Sequence, residues 1–296
     1  MRRRDIPLHL MVLPALVLIL IFSYVPMAGI IIAFQNFKPA FGLFGPQKWV
    51  GLDNLVYVMK LPTTMQVLWN TVVIAFFKMT LGMLVPVTFS ILLNELRKPL
   101  LKRTIQTSIY LPYFMSWVIL AGIFVDLLSP SSGLVNRLLG LLGTKPIFFL
   151  GSNDWFRFTL IVTNVWKDFG FDTVIYLAAL TSIDMALYEA AKIDGANNWK
   201  QVWHITLPGM SMVIVLMTVL SLGNILNAGF DQVFNLYKPI VYETGDIIDT
   251  LVYRLGILEA QFGVSAAVGL FKSFVSLVFI SISYYLAYKI ADYRIF

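Results

Sequence analysis

The stretch EAAKIDGANNWKQVWHITLP, Glu189 to Pro208, is a polar interruption between two apolar runs. It carries two acids, two lysines, a histidine and a mid-segment Asp194-Gly195 pair, while the residues on either side read as lipid-soluble helix. Counting from Asp184, Leu187, Ala190 and Ala191 fall at helical spacing, with Glu189 and Lys192 beside them. Gly195 can take positive φ and end that helix, and Asn197-Asn198 can cap the free amides of the next one. Trp199, Val202, Trp203 and Thr206 then share one stripe, and Leu207-Pro208 is expected to break the second helix before the next apolar run begins. The stretch reads as a helix, a sharp turn and a helix projecting from a membrane.

Helices this short are marginal in water on their own. Ala186, Ala190 and Ala191 offer a low-relief face, and Trp199 and Trp203 are anchors of the kind enriched at protein interfaces. Two occupants suit that surface: a protein partner, or the headgroup layer in which tryptophans lie as interfacial anchors.

Apolar residues make up 58% of the chain and charged residues 13%, about half the charged fraction of an ordinary soluble protein. Six apolar runs, at residues 8–34, 67–94, 105–128, 156–180, 210–231 and 265–289, each reach the roughly 20 residues that a helix needs to cross hydrocarbon. Six crossings put both termini on one side. Arg2, Arg3 and Arg4 precede the first run, and Arg97, Lys98, Lys102 and Arg103 cluster between the second and third. By the positive-inside rule these ends are cytoplasmic, together with Lys192, Lys200, Lys289 and Arg294. The opposite face spreads Lys38, Lys48, Lys60, Arg137, Lys145, Arg157, Lys238 and Arg254 over longer loops. The net charge of +6 thus reads as topology, and no basic stripe with interleaved aromatics points to nucleic acid. The apolar part of the first run is too long for a signal peptide and is expected to stay as a span. With no cysteine there are no disulfides, thiolate metal sites or cysteine nucleophiles.

No internal repeat or composition shift marks a second domain, so 1–296 is expected to be a single transmembrane domain with the polar loop 184–208 inside it. The outer loops are substantial. Residues 129–155 suggest a short interfacial helix after Pro146, and 246–263 a helix lying on the outer surface; such loops either offer a surface to a docking protein or pack against their own helix ends. Pro14, Pro26, Pro86 and Pro112 lie within spans, where each removes a backbone donor and can kink its helix.

Glu189-Ala190-Ala191, three residues, Gly195, nine residues, Ile205, one residue and Leu207-Pro208 resemble the EAA loop of permease subunits of binding-protein-dependent ABC importers. Further stretches, YVPMAGIIIAFQNFKP, YLPYFMSW, IDGANNWKQVWHITLP and GNILNAGFDQVFNLY, resemble the branch that imports oligosaccharides and polysaccharide fragments. The likeness covers nearly all of the chain. It implies an all-α membrane protein with six transmembrane helices in the MetI-like permease fold, both termini cytoplasmic, in the bacterial cytoplasmic membrane. It also implies that the two short helices couple to a cytosolic ATPase dimer: Glu189 makes a polar contact, Ala190 and Ala191 allow close seating, Gly195 sets the turn, and Asp194, Trp199, Trp203, Ile205, Leu207 and Pro208 complete the coupling surface. A second, homologous permease chain and an extracytoplasmic solute-binding protein are the other implied partners. The chain itself lacks a Walker A loop, since it contains no Gly-Lys dipeptide. No cofactor or metal is expected on it; ATP and magnesium belong to the ATPase.

Polar residues recur inside the spans. Ser221, Asn224, Asn227 and Asp231 are expected to form a stripe on one face of the fifth helix, and Asn164, Asp168 and Asp172 one on the fourth, among Trp166, Phe169, Phe171 and Tyr176. Lipid cannot satisfy these groups, so they face the bundle or water. Amides and carboxylates alternating with aromatic rings suit a hydroxyl-rich sugar; they also serve as glue between helices. Lys78 and Lys272 are expected to pair with carboxylates or snorkel. His9 and His204 are far apart and no catalytic constellation accompanies them, so the chain is expected not to be an enzyme. An ion-coupled carrier would need inverted repeats with broken helices, and none is evident; a permease for a non-sugar solute stays open.

Overall fold

The computed structural model describes residues 6–291, so Arg2, Arg3, Arg4 and Arg294 lie outside the described residues. Among the described residues four helices are each long and apolar enough to cross a membrane: Leu10–Phe34, Pro62–Asn94, Asn198–Gly223 and Phe262–Ile282. Two bent pairs, Pro99–Phe114 with Trp117–Leu127 and Asn153–Thr181 with Met185–Ile193, bring the number to six. Numbered in chain order as spans one to six, they give the all-α membrane architecture read from the sequence. The chain forms two compact units, one of the segment up to Met65 with Leu251–Phe274, the other of Gln66–Thr250 with the chain from Val275 onward.

In the smaller unit the first span runs into a two-residue strand, Gln35–Asn36, paired antiparallel with Lys48–Trp49. Phe34 stacks on Trp49 at 5.8 Å. Asn54, near the start of the helix Asp53–Lys60, donates to the carbonyls of Ala33 and Gln35 and closes the corner.

Prolines explain two irregular turns. A π turn, Leu20–Tyr24, lies just before Pro26, and another, Val202–Thr206, just before Pro208. A proline ring collides with the carbonyl four residues earlier; here those carbonyls belong to Phe22 and His204, each inside a wider π turn. The expected break at Leu207-Pro208 is therefore absent: the helix continues from Asn198 to Gly223 because the bulge absorbs the proline.

Two other expected spans are interrupted. The third bends by 105° between Phe114 and Trp117. Pro112 lies in the 3-10 turn Leu111–Phe114 that ends its first half, and Ser116 caps the second by accepting from the amide of Ile119 at 3.4 Å. The fifth, read as helix over 210–231, stops at Gly223; residues 224–229 leave the helix, Gly229 takes φ +91°, and a new helix covers Phe230–Leu236. In the outer loop after the third span the helix is Leu134–Leu141, ahead of Pro146 and not after it. Asn136 holds it, donating to the carbonyls of Leu128, Ser129 and Ile147 and accepting from the amide of Ile147. The helix Ile248–Tyr253 forms as expected but does not lie loose on a surface, since Ile248 and Leu251 are buried.

The larger unit packs around two dry clusters. Ile74, Phe156, Leu160, Leu226, Val233 and Ile247 belong to one; Val87, Tyr176, Leu180 and Met210 to the other. In lipid there is no water to expel, so such clusters hold by close packing. Gly170 shows how close: a Cβ there would overlap the carbonyl of Ile109, where the third and fourth spans meet. Beyond the first cluster, Arg157 donates to Asn70 at 2.5 Å and to the carbonyl of Thr244 at 3.0 Å, while Asn70 donates to the carbonyls of Glu243 and Asp246. This fastens the segment 239–250 to spans two and four.

Candidate functional site

Two features collect the residues singled out above. The first is the elbow formed by Met185–Ile193 and the start of the fifth span. Asp184 caps the first helix, accepting from the amide of Ala186 at 2.9 Å. The helix ends in a left-handed turn: Gly195 has φ +74°, the amide of Ala196 reaches the carbonyl of Ala191 at 2.8 Å, and that of Gly195 reaches Lys192 at 3.1 Å. Asn197 caps the next helix, accepting from the amide of Lys200 at 2.9 Å. Two struts brace the corner from within: the buried Gln201 donates to the carbonyl of Ala196, and Tyr188 pairs with Thr206 across the two arms at 3.0 Å. Polar groups thus point into the elbow and large apolar ones point out. Ile193 is 87% exposed, Trp199 70% and Trp203 63%, and Glu189, Ala190, Asp194, Gly195 and Pro208 are exposed beside them. Ala191, Ile205 and Leu207 are half-buried. His204 is engaged locally, its Nδ1 lying 2.9 Å from the carbonyl of Lys200. The result is an exposed apolar tip on a rigid mount, the form a docking surface takes.

The second feature is a cavity of about 500 Å³ between spans two, four and five, lying along spans two and four between the two dry clusters. Asn164, Asp168, Asp172, Ser221, Asn224 and Asn227 all line it. Asp231 does not: the break at 224–229 cuts the expected stripe, and Asp231 is exposed at the start of the next helix. Phe169 and Tyr176 give the wall its rings. Trp166 instead packs edge-on against Phe124, and Phe171 stacks on Tyr113 at 4.1 Å. Asp168 accepts from Asn164 at 2.8 Å and lies 3.6 Å from the ammonium of Lys167, which also donates to the carbonyl of Tyr113 at 2.8 Å. One wall thus combines amides, carboxylates and ring faces, able to accept from and donate to a polyhydroxylated solute.

Sequence reasoning missed the neighbours of that wall. Lys78 lines the cavity and, among the described residues, has no carboxylate within salt-bridge distance; it donates to the carbonyl of Ala228 at 2.6 Å and to the side-chain oxygen of Gln232. Gln232, fully buried, donates onward to the carbonyl of Leu160 and the hydroxyl of Thr163. The available signal was Gly229, a residue that ends helices, three positions before Gln232.

A family model described as the binding-protein-dependent transport system inner membrane component matches residues 79–292. The polygalacturonan/rhamnogalacturonan transport system permease protein of Bacillus subtilis (strain 168) is 42% identical over 289 residues, covering 98% of this chain and 90% of its own. A chain from the crystal structure of a bacterial ABC transporter involved in import of the acidic polysaccharide alginate is similar with a TM-score of 0.89 at 37% identity, covering 97% of each chain. A second structure of a bacterial alginate transporter, in complex with an alginate pentasaccharide-bound periplasmic protein, gives a TM-score of 0.88 at 36% identity, with 97% of this chain and 96% of that one covered.

Proposed function

This chain belongs to the family of inner-membrane components of binding-protein-dependent transport systems, and from that premise we propose how it works as the permease subunit of an ATP-driven importer of oligosaccharides or polysaccharide fragments. The observation that carries the reading is likeness to a polysaccharide importer over 97% of both chains, joined to an elbow whose signature positions are all filled.

The chain sits in the bacterial cytoplasmic membrane with the elbow and both termini on the cytosolic side. Its exposed tip seats in a groove of a cytosolic ATPase. A second, homologous permease supplies a second elbow and the facing wall of the translocation path, and an extracytoplasmic binding protein delivers the sugar. ATP and magnesium act on the ATPase, because this chain has no Gly-Lys dipeptide with which to build a phosphate loop. Closure of the ATPase dimer pushes the elbow, and the spans turn the cavity from one face of the membrane to the other. Driving such an equilibrium from 1:99 to 99:1 takes about 5.5 kcal/mol of differential interaction, so the elbow must be stiff, and its two internal struts make it so. In the cavity, Asn164, Asp168, Asp172, Ser221, Asn224 and Asn227 exchange hydrogen bonds with sugar hydroxyls, and Phe169 and Tyr176 meet the C–H faces.

Co-reconstitution in proteoliposomes with the ATPase, the second permease and the binding protein tests this. Sugar-loaded binding protein should stimulate ATP hydrolysis and drive uptake. Asp172→Asn should lower turnover about tenfold, the worth of one charged hydrogen bond, with apparent KM little changed because the binding protein sets capture. Uptake driven by an ion gradient without nucleotide would put the chain among secondary carriers instead.

A further inference from the structure

At two interruptions of apolar spans a buried lysine donates to a backbone carbonyl: Lys167 to that of Tyr113, and Lys78 to that of Ala228. Hydrocarbon offers no water to satisfy a carbonyl released from a helix, and a lysine buried there is costly unless its ammonium is used. The two lysines differ in their second partner. Lys167 lies against Asp168. Lys78 has no carboxylate in salt-bridge reach among the described residues; its other acceptor is Gln232, which in turn donates to the carbonyl of Leu160 and to Thr163 at 2.8 Å each. One ammonium on span two is thereby joined to the unwound segment 224–229 and, through Gln232, to span four. The segment also passes close to it: a Cβ added at Gly229, which has φ +91°, would lie 3.1 Å from the Lys78 nitrogen. The segment held in this way carries Asn224 and Asn227 into the cavity.

We propose that Lys78 is a positioning residue for transport: its ammonium bolts the unwound segment to spans two and four, so that Asn224 and Asn227 keep one geometry in the cavity wall. This deepens the importer reading and rests on it. A neutral side chain at 78 leaves the Ala228 carbonyl and the Gln232 oxygen without this donor, and the segment loses its tie to spans two and four.

Because the chain contains no cysteine, Ala228→Cys puts a lone thiol at a buried position of that segment, and its labelling by a water-soluble maleimide reports whether the segment has come loose. In the assembled complex, Lys78→Met should raise the labelling rate about tenfold, and Lys78→Arg, which keeps a cationic donor, should return it toward the starting value. In the parent protein without the cysteine, Lys78→Met should lower turnover about tenfold with apparent KM changed less than about threefold. Asp172→Asn, which lines the wall without holding the segment, should lower turnover and leave labelling unchanged. Unchanged labelling or unchanged turnover in Lys78→Met overturns the proposal. Should Lys78→Met fail to reach the membrane, Gln232→Met removes the second acceptor and must raise labelling in the same direction; an unaltered rate overturns it equally. The labelling arm needs no transport, so a wild-type complex that imports no sugar would sink the functional reading and leave the role of Lys78 to be judged separately.

Discussion

Replacing Gly195 with valine is expected to cut ATP-driven uptake about a hundredfold while the protein remains in the membrane at its normal level. Gly195 sits at φ +74°, in the left-handed region, and no heavy atom lies within 4 Å of where its Cβ would be. A side chain there therefore meets no steric wall inside the chain, and the whole penalty comes from the backbone. Holding an L-residue in this region costs about 1 to 3 kcal/mol, with β-branched residues at the upper end, and about 3 kcal/mol is roughly a hundredfold in the population of the correctly turned elbow. The spans do not depend on the turn, so insertion is spared. A graded series separates this cause from mere bulk: Gly195→Asn, which tolerates the left-handed region, should transport better than Gly195→Ala, and Gly195→Val worst of all. Equal uptake across the series, measured with membrane levels by immunoblot, would remove the turn from the mechanism.

The second large effect lies at the tip. Trp199 and Trp203 are four residues apart on one helix face and both more than half exposed. Exposure of two such rings is costly in water and suits burial in a partner's groove, where truncating a central aromatic costs about 2 to 4 kcal/mol. Trp199→Ala with Trp203→Ala should weaken docking of the ATPase by a factor of about a thousand. The elbow itself should survive, because its struts use Gln201, Tyr188 and Thr206 and neither tryptophan. Titration of labelled ATPase onto the purified permease pair measures this. Unchanged docking would mean that the rings lie in the headgroup layer.

What the sequence revealed and what it concealed follow one division. Features fixed by short-range chemistry were legible: Gly195 as a left-handed turn, Asn197 as a cap, six runs long enough to cross a bilayer, and the gathering of Asn164, Asp168 and Asp172 on one side of a helix. Features decided by how a helix fails inside a protein were not. Pro208 reads as a stop, yet a π turn carries the helix past it. Asn224, Asn227 and Asp231 recur at helical spacing and read as one helix face, yet the chain unwinds over 224–229, where Lys78 donates to the Ala228 carbonyl from a distant part of the sequence. That unwinding removes Asp231 from the wall and buries Gln232 behind it. Periodicity counts positions along a helix and is silent about a lysine 150 residues away that makes a break affordable.

The coupling role of the elbow is tested most directly at its most exposed apolar residue. Ile193→Cys, in a chain otherwise free of cysteine, can be probed in sealed vesicles with a membrane-impermeant maleimide applied from either side, with and without the ATPase. A cytosolic coupling elbow requires rapid labelling from the cytosolic face alone and protection when the ATPase docks. Labelling from the opposite face, or labelling that the ATPase leaves unaltered, would contradict it.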